Sequence, residues 1–245
     1  MWSLKDALKS AGLGPKVSLV FDVFGYVRGR LPRAPDGSGT QISLKSWAGL
    51  GRGNSFNVDV VFVGVESFAS SMFDEIDTAV HRMRQVYGTI GLGVKWVLHW
   101  QIATADANGL DVLTSEDEVD DLLSGWAVDN NAINLYFPAG WSMSDGLLGK
   151  SALPGPCPGE QSGTKGLKGS CVGLTGPLLS SRTCSHEIGH NLGLTHKQTF
   201  GENLMCQTQF ANKPTWKAVA LEVVDGDDQP NEVKQHCMVS RWWVV

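Results

Sequence analysis

Residues 183–196 read TCSHEIGHNLGLTH, which places His186, His190 and His196, three of the six histidines of the 245-residue chain, within eleven positions. The spacing is that of a helix that ends partway through. Residues four apart on an α-helix differ by about 40° in azimuth, so His186 and His190 project from one face a single turn apart, and both imidazoles reach one ion. His196 would leave that face if the helix ran on. Gly193 supplies the positive φ that helix C-terminal caps commonly use, and a turn there brings His196 back to the same ion. Three neutral imidazoles with an open fourth position form the donor set of catalytic zinc, because structural zinc closes with four protein ligands, usually including cysteine. Glu187 lies about 100° round the helix from His186, off the ligand face, where it accepts a proton from water without being tied up as a ligand. A general base beside a metal implies hydrolysis, with Glu187 passing the proton on to the departing amine of a peptide.

At His186, Glu187, His190, Gly193 and His196 the sequence resembles the metzincin clan of zinc peptidases, whose extended motif H-E-x-x-H-x-x-G-x-x-H it matches position for position. The string HEIGHNLGL is similar to the adamalysin and reprolysin branch and to pappalysin-like enzymes. Asn203, Leu204 and Met205 resemble the clan's methionine turn, which implies that Met205 is a structural floor beneath the metal and not a ligand. The chain departs from relatives at Lys197, where adamalysins carry an acidic residue and matrixins often a serine, and at Gln207, where some members carry a tyrosine.

The resemblance implies a zinc-dependent endopeptidase acting on protein or peptide substrates. It also implies an α+β fold: a twisted, mostly parallel five-stranded sheet with one antiparallel edge strand, a backing helix, an active-site helix and a C-terminal helix. In that scheme residues 58–65 are the first strand, 68–87 the backing helix, and 147–153 the edge that binds an extended peptide through its main chain. Residues 207–216 wall the pocket past the zinc, and 231–243 form the closing helix. The catalytic domain is expected over 57–245, its upper part running to about 193 and its lower part over 194–245. Residues 1–56 are then an N-terminal extension or a pro-segment. No cysteine precedes Cys157, so a latch to zinc from that segment would need an aspartate such as Asp22 or Asp36.

Outside the motif, periodicity supplies the other elements. Residues 17–29 alternate as a strand or hairpin arm, and residues 31–54 are rich in Gly, Pro and Ser, marking a boundary. Residues 58–65 are a compact β-branched run suited to a buried strand. Met72, Ile76, Val80, Met83 and Val86 recur at threes and fours, predicting a helix that Gly88 and Gly91 terminate. Strands are expected at 94–102, 132–137, 147–153 and 172–174, and a helix begins near 177–181. Ser115 with the carboxylates after it reads as a helix start, so Glu116, Asp117 and Asp120 are dipole partners and not ligands. The loop over 155–169 is built from turn residues and is expected to be mobile. The order implies a mostly parallel sheet with helices packed on it.

With 42% hydrophobic and 18% charged residues and a formal net charge of −5, the chain suits one substantial core and neither a nucleic-acid surface nor a disordered acidic tail. No apolar run approaches the roughly 20 residues that span a bilayer, so no membrane partner is expected. Residues 1–16 interleave Lys5, Asp6 and Lys9 with isolated apolar side chains and do not read as a leader. Cys157, Cys171, Cys184, Cys206 and Cys237 cluster late in the chain, as disulfides near the site or as buried thiols packing like small hydrophobes. That clustering and the resemblance favour an extracellular protein, against which stands the lack of a leader.

Two other readings use the same residues. One is a catalytically silent zinc- or peptide-binding module on the same fold, which would have no need of Glu187. The other is a structural zinc site closed by Cys184 or Cys206. Asp225, Asp227 and Asp228 form a solvated turn or a calcium site without an EF-hand pattern. His81, His99 and His236 stand alone and are assigned no role.

Overall fold

The β-branched run expected as the first strand lies at the centre of a sheet in the computed structural model, which describes residues 26–27, 44–45, 53–128, 130–151, 157, 169–197, 203–206, 223–224 and 227–241. Strand β1 (Asn54–Val63) begins four residues earlier than expected and is buried along nearly its whole length. Such near-continuous apolarity is what a strand covered on both faces requires. Helix α1 (Ser70–Thr89) follows, with Ile76, Ala79, Val80, Met83, Val86 and Tyr87 buried on its inner face. Strand β2 (Leu92–Ile102) returns parallel to β1, from Asn54 opposite Leu92 to Val63 opposite Ile102, with an irregularity between Phe56 and Asn57.

Helix α2 (Glu116–Gly125) starts as its sequence predicts: Ser115 Oγ accepts from the Glu118 amide, and Glu118 Oε2 accepts from the Ser115 amide, a reciprocal capping box. Strand β3 (Ile133–Pro138) pairs parallel on the other side of β1. Strand β4 (Gly149–Ser151) is the antiparallel edge, held to β5 (Gly169–Val172), which is itself parallel to β3. The order β2-β1-β3-β5-β4 is the expected mostly parallel arrangement with one antiparallel edge, and a sixth, two-residue strand near the C-terminus, Ser240–Arg241, joins the same sheet antiparallel to the start of β1.

Helix α3 (Pro177–Asn191) opens with proline in its first turn, where a missing amide costs nothing. Its start is pinned to α1: Glu75 Oε1 accepts from the Gly176 amide at 2.8 Å and from Ser180 Oγ at 2.5 Å. Helices α1 and α3 pack together on one face of the sheet, burying Phe56, Val58, Val60 and Phe62 beneath them. The alternate residues Val61 and Val63 face a second core built with Leu122, Leu123 and Trp126 around α2. Period-two alternation along β1 thus feeds two cores, and the architecture is three layers, helix, sheet and helix.

The closing helix differs from expectation. Helix α4 (Gln229–Gln235) spans seven residues, and the chain then continues into β6 (Ser240–Arg241), antiparallel to the start of β1. His236 is already extended, Cys237 is bonded to Cys157, and these two tethers stop the helix eight residues short of position 243. A small antiparallel pair, Tyr26–Val27 with Leu44–Lys45, lies within the N-terminal region. The rest of that region, including Asp22 and Asp36, lies outside the described residues. So do most of the loop over 155–169, the pocket wall over 207–216, and Asp225.

Candidate metal centre

The last two turns of α3 carry His186, Glu187 and His190. The helix ends at Leu192 and the chain reverses at Gly193, whose φ is 91°. There the Gly193 amide donates to the His190 carbonyl at 3.0 Å and the Leu194 amide to Gly189 at 3.0 Å. This reversal returns His196 to the helix. The Nε2 atoms of His186 and His190 are 3.1 Å apart, those of His190 and His196 3.0 Å, and those of His186 and His196 3.2 Å.

The chemistry of this donor set fits zinc. His186 Nδ1 lies 2.8 Å from the Leu204 carbonyl and His190 Nδ1 2.7 Å from the Leu194 carbonyl, so each ring donates outward through Nδ1–H and turns its Nε2 lone pair inward. Burial pushes His186 down to about 4 and His190 down to about 3, and lowers His196 as well, so the rings are neutral near pH 7. Inward lone pairs in mutual contact repel unless a cation lies among them. Tetrahedral zinc with Zn–N bonds of about 2.05 Å sets its donors about 3.3 Å apart, close to the spacing here. Among the described residues neither Cys184 nor Cys206 joins the group of donor atoms within 4.8 Å of one another. Cys184 is instead buried in the α1–α3 core.

The imidazoles and Glu187 line a cleft of about 500 Å³, together with Gly149, Lys150 and Ser151 of the edge strand. Glu187 is buried, and desolvation pushes its carboxyl up to about 7, opposed by a hydrogen bond from Ser151 Oγ to Oε2 at 2.6 Å. The edge strand approaches α3 so closely that a Cβ on Gly149 would fall 2.6 Å from Thr183 Cγ2 and 2.9 Å from Glu187 Cγ. Glu116 and Asp120 do more than offset a helix dipole: both bind Lys150 Nζ, at 3.1 and 2.9 Å, and so tie α2 to the edge strand.

Beside the three histidines, Met205 is fully buried and packs on Gly189, where any Cβ would lie 2.5 Å from its Sδ. It belongs to the apolar core that also holds Ile188 and Leu204. The turn around Met205 is closed by Asn203 Oδ1, which accepts from the Met205 amide at 2.9 Å, and by the Lys197 amide, which donates to the Met205 carbonyl at 2.9 Å.

The structure brings together the three histidines that the sequence proposes as ligands, with Glu187, Gly193 and Met205 beside them. Sequence reasoning did not find Ser151, Ser170 and Asn191, which surround Glu187, because serine and asparagine carry no spacing signature. Nor did it find His236, which is buried 3.1 Å from Cys157 Sγ and lies against Gly193. Cys157 and Cys237 form a disulfide, while Cys171, Cys184 and Cys206 are buried thiols, so both readings of the cysteines hold in part. Asp228 caps α4 by accepting from the Asn231 amide at 3.0 Å. His81 is exposed on α1, and His99 is buried in β2.

No family profile matches the sequence, and no curated protein matches it. Ninety-three solved chains match in shape. One is metalloproteinase-II from Bacteroides fragilis, 12% identical with a TM-score of 0.48, the match covering 94% of this chain and 61% of that one. Another belongs to a chaperone–substrate complex, 12% identical with a TM-score of 0.43, covering 80% of this chain and 38% of that one. The chain thus spans less than two thirds of the length of either. Likeness at this level carries no functional argument, which rests on the site's own residues. Among the described residues no helix is long and apolar enough to cross a membrane.

Proposed function

We propose that the chain is a zinc-dependent endopeptidase of metzincin type, in which His186, His190 and His196 hold the ion and Glu187 is the general base. The observation that carries the reading is the triangle of inward-facing Nε2 atoms, 3.0–3.2 Å on a side, opening on the same cleft as the Glu187 carboxylate and the edge strand. Zinc held there supplies Lewis acidity, which makes water nucleophilic near neutral pH and polarises a carbonyl.

The protein's own groups do the rest. Glu187 takes the proton of the attacking water and passes it to the amine that leaves. Strand β4 ends the sheet, and among the described residues its outer side pairs with no strand, so an extended peptide can add to it through main-chain hydrogen bonds. Such recognition is tolerant of side chains, which suits protein and peptide substrates. Residues 57–245 form the catalytic domain and residues 1–56 an extension to it. The Cys157–Cys237 disulfide supports action in an oxidising, extracellular setting.

The test uses the zinc-loaded full chain, an unfolded protein substrate, a chelator control and a Glu187→Ala variant with its zinc measured. Cleavage that the chelator abolishes is expected, with a loss of roughly 100- to 10,000-fold in the variant at unchanged zinc stoichiometry. Stoichiometric zinc without cleavage, both in the full chain and after removal of residues 1–56, would overturn the reading and leave a zinc-binding module.

A further inference from the structure

The Glu187 carboxylate is buried on an edge where three uncharged polar side chains converge. Ser151 Oγ lies 2.6 Å from Glu187 Oε2 and 2.8 Å from Ser170 Oγ, and Ser170 Oγ contacts Asn191 Nδ2. Ser151 Oγ is also 2.9 Å from the Glu187 carbonyl, Ser170 Oγ 3.2 Å from it, and Asn191 Nδ2 3.3 Å from it.

Proton counting orders these contacts. Each hydroxyl has one proton to give and can accept from others. A carboxylate at 2.6 Å is a stronger acceptor than a carbonyl at 2.9 Å, so the Ser151 proton goes to Oε2. Ser170 lies closer to Ser151 Oγ than to the carbonyl, and its proton goes there. Asn191 Nδ2 has two protons, one for Ser170 and one for the Glu187 carbonyl one turn back. Every donor then has an acceptor, and the hydroxyls point one way, toward the carboxylate.

We propose that Asn191, Ser170 and Ser151 form a one-way donor chain that holds the Glu187 carboxylate in its working orientation, with Ser151 as the positioning residue in contact with it. The proposal rests on Glu187 being the base and goes beyond it. A carboxylate beside a helix in an open cleft has several rotamers, and a base must lie within hydrogen-bond reach of the proton it removes. The chain selects one rotamer. Each link comes from a different element: Asn191 from the end of α3, Ser170 from β5 and Ser151 from β4. The orientation of the base is thereby tied to the pairing of the edge strand, Ser151 opposite Ser170 in the antiparallel register. Hydrogen bonds in series polarise one another, so the link at Oε2 is stronger than an isolated hydroxyl would make it.

The deciding experiment compares zinc-loaded Ser151→Ala, Ser151→Thr and Ser151→Val with the wild type. Threonine and valine share a shape and differ in the hydroxyl. In Ser151→Ala, kcat is expected to fall roughly 10- to 100-fold with KM within about twofold, the scale of loss known for partners that orient the ligands of a metal site. Zinc stoichiometry and the visible spectrum of the cobalt-substituted protein stay as in the wild type. Ser151→Thr keeps most of the activity, and Ser151→Val resembles Ser151→Ala. A crystal structure of the zinc-loaded Ser151→Ala protein should show the Glu187 carboxylate displaced or in more than one position. Wild-type kcat in Ser151→Ala, equal activity of the Thr and Val variants, or an unmoved carboxylate in that crystal structure would each overturn the proposal. A wild-type protein that fails to cleave at all would instead count against the peptidase reading, and the carboxylate position would still decide the donor chain.

Discussion

His99 sits in β2 with its ring stacked on Phe62, 6.0 Å between centroids, and its Nδ1 has no hydrogen-bond partner. Burial pushes it down to about 4, so the folded protein holds a neutral ring that the unfolded chain protonates below pH 6.5. The unfolded state binds the extra proton, and stability therefore falls as pH drops from 6.5 to 4, by on the order of 3 kcal/mol from this group. Urea denaturation of the zinc-free protein across that window is expected to show a slope to which His99 contributes beside the buried His186 and His190, and His99→Phe should make it shallower by the His99 share. At His186, Glu187 and His190, residue type and spacing were legible together, because a helix converts a separation of four into proximity with no other part of the chain involved. At His99 they were not: the sequence shows a lone histidine, and only its burial in the packed sheet explains its neutrality.

The edge strand is where element geometry controls the site. Gly149 lies against α3 with no room for a side chain, a Cβ meeting Thr183, Glu187 and, at 3.0 Å, the backbone carbonyl of Cys171. Gly149→Ala is expected to cost about 1–3 kcal/mol through overpacking and to reduce cleavage while leaving zinc bound, since the ligands lie on other elements. Chemical denaturation beside a zinc assay checks both. The strands and α1 were legible from their periods of two and of three to four. The closing helix was misread in length because its pattern continues beyond Gln235, whereas the chain there is captured by Cys157 and by β1. Glu116 and Asp120 read locally as a helix start, and their second task, holding Lys150, depends on a strand about 30 residues away.

Across the whole molecule, the Cys157–Cys237 disulfide joins positions 80 residues apart, with His236 between it and the Gly193 turn. A loop of that length lowers the entropy of the unfolded chain enough to stabilise the fold by on the order of 4 kcal/mol. Cys237→Ser, or reduction of the wild type, is expected to lower the melting temperature by roughly 10 °C, measured by calorimetry with zinc present. The sequence by itself determined the clustering of the three histidines and Glu187, the positive-φ turn at Gly193 and the β-branched strands of a mostly parallel sheet. Each of these is a local pattern, set by residue type and by spacing within one element or its cap. Tertiary structure alone decided which cysteines pair, which glycines lie under Met205 and beside Glu187, and which hydroxyls aim at the carboxylate. Serine, glycine and cysteine take those parts from neighbours brought close by strand register and helix packing, and one-dimensional spacing holds no record of them.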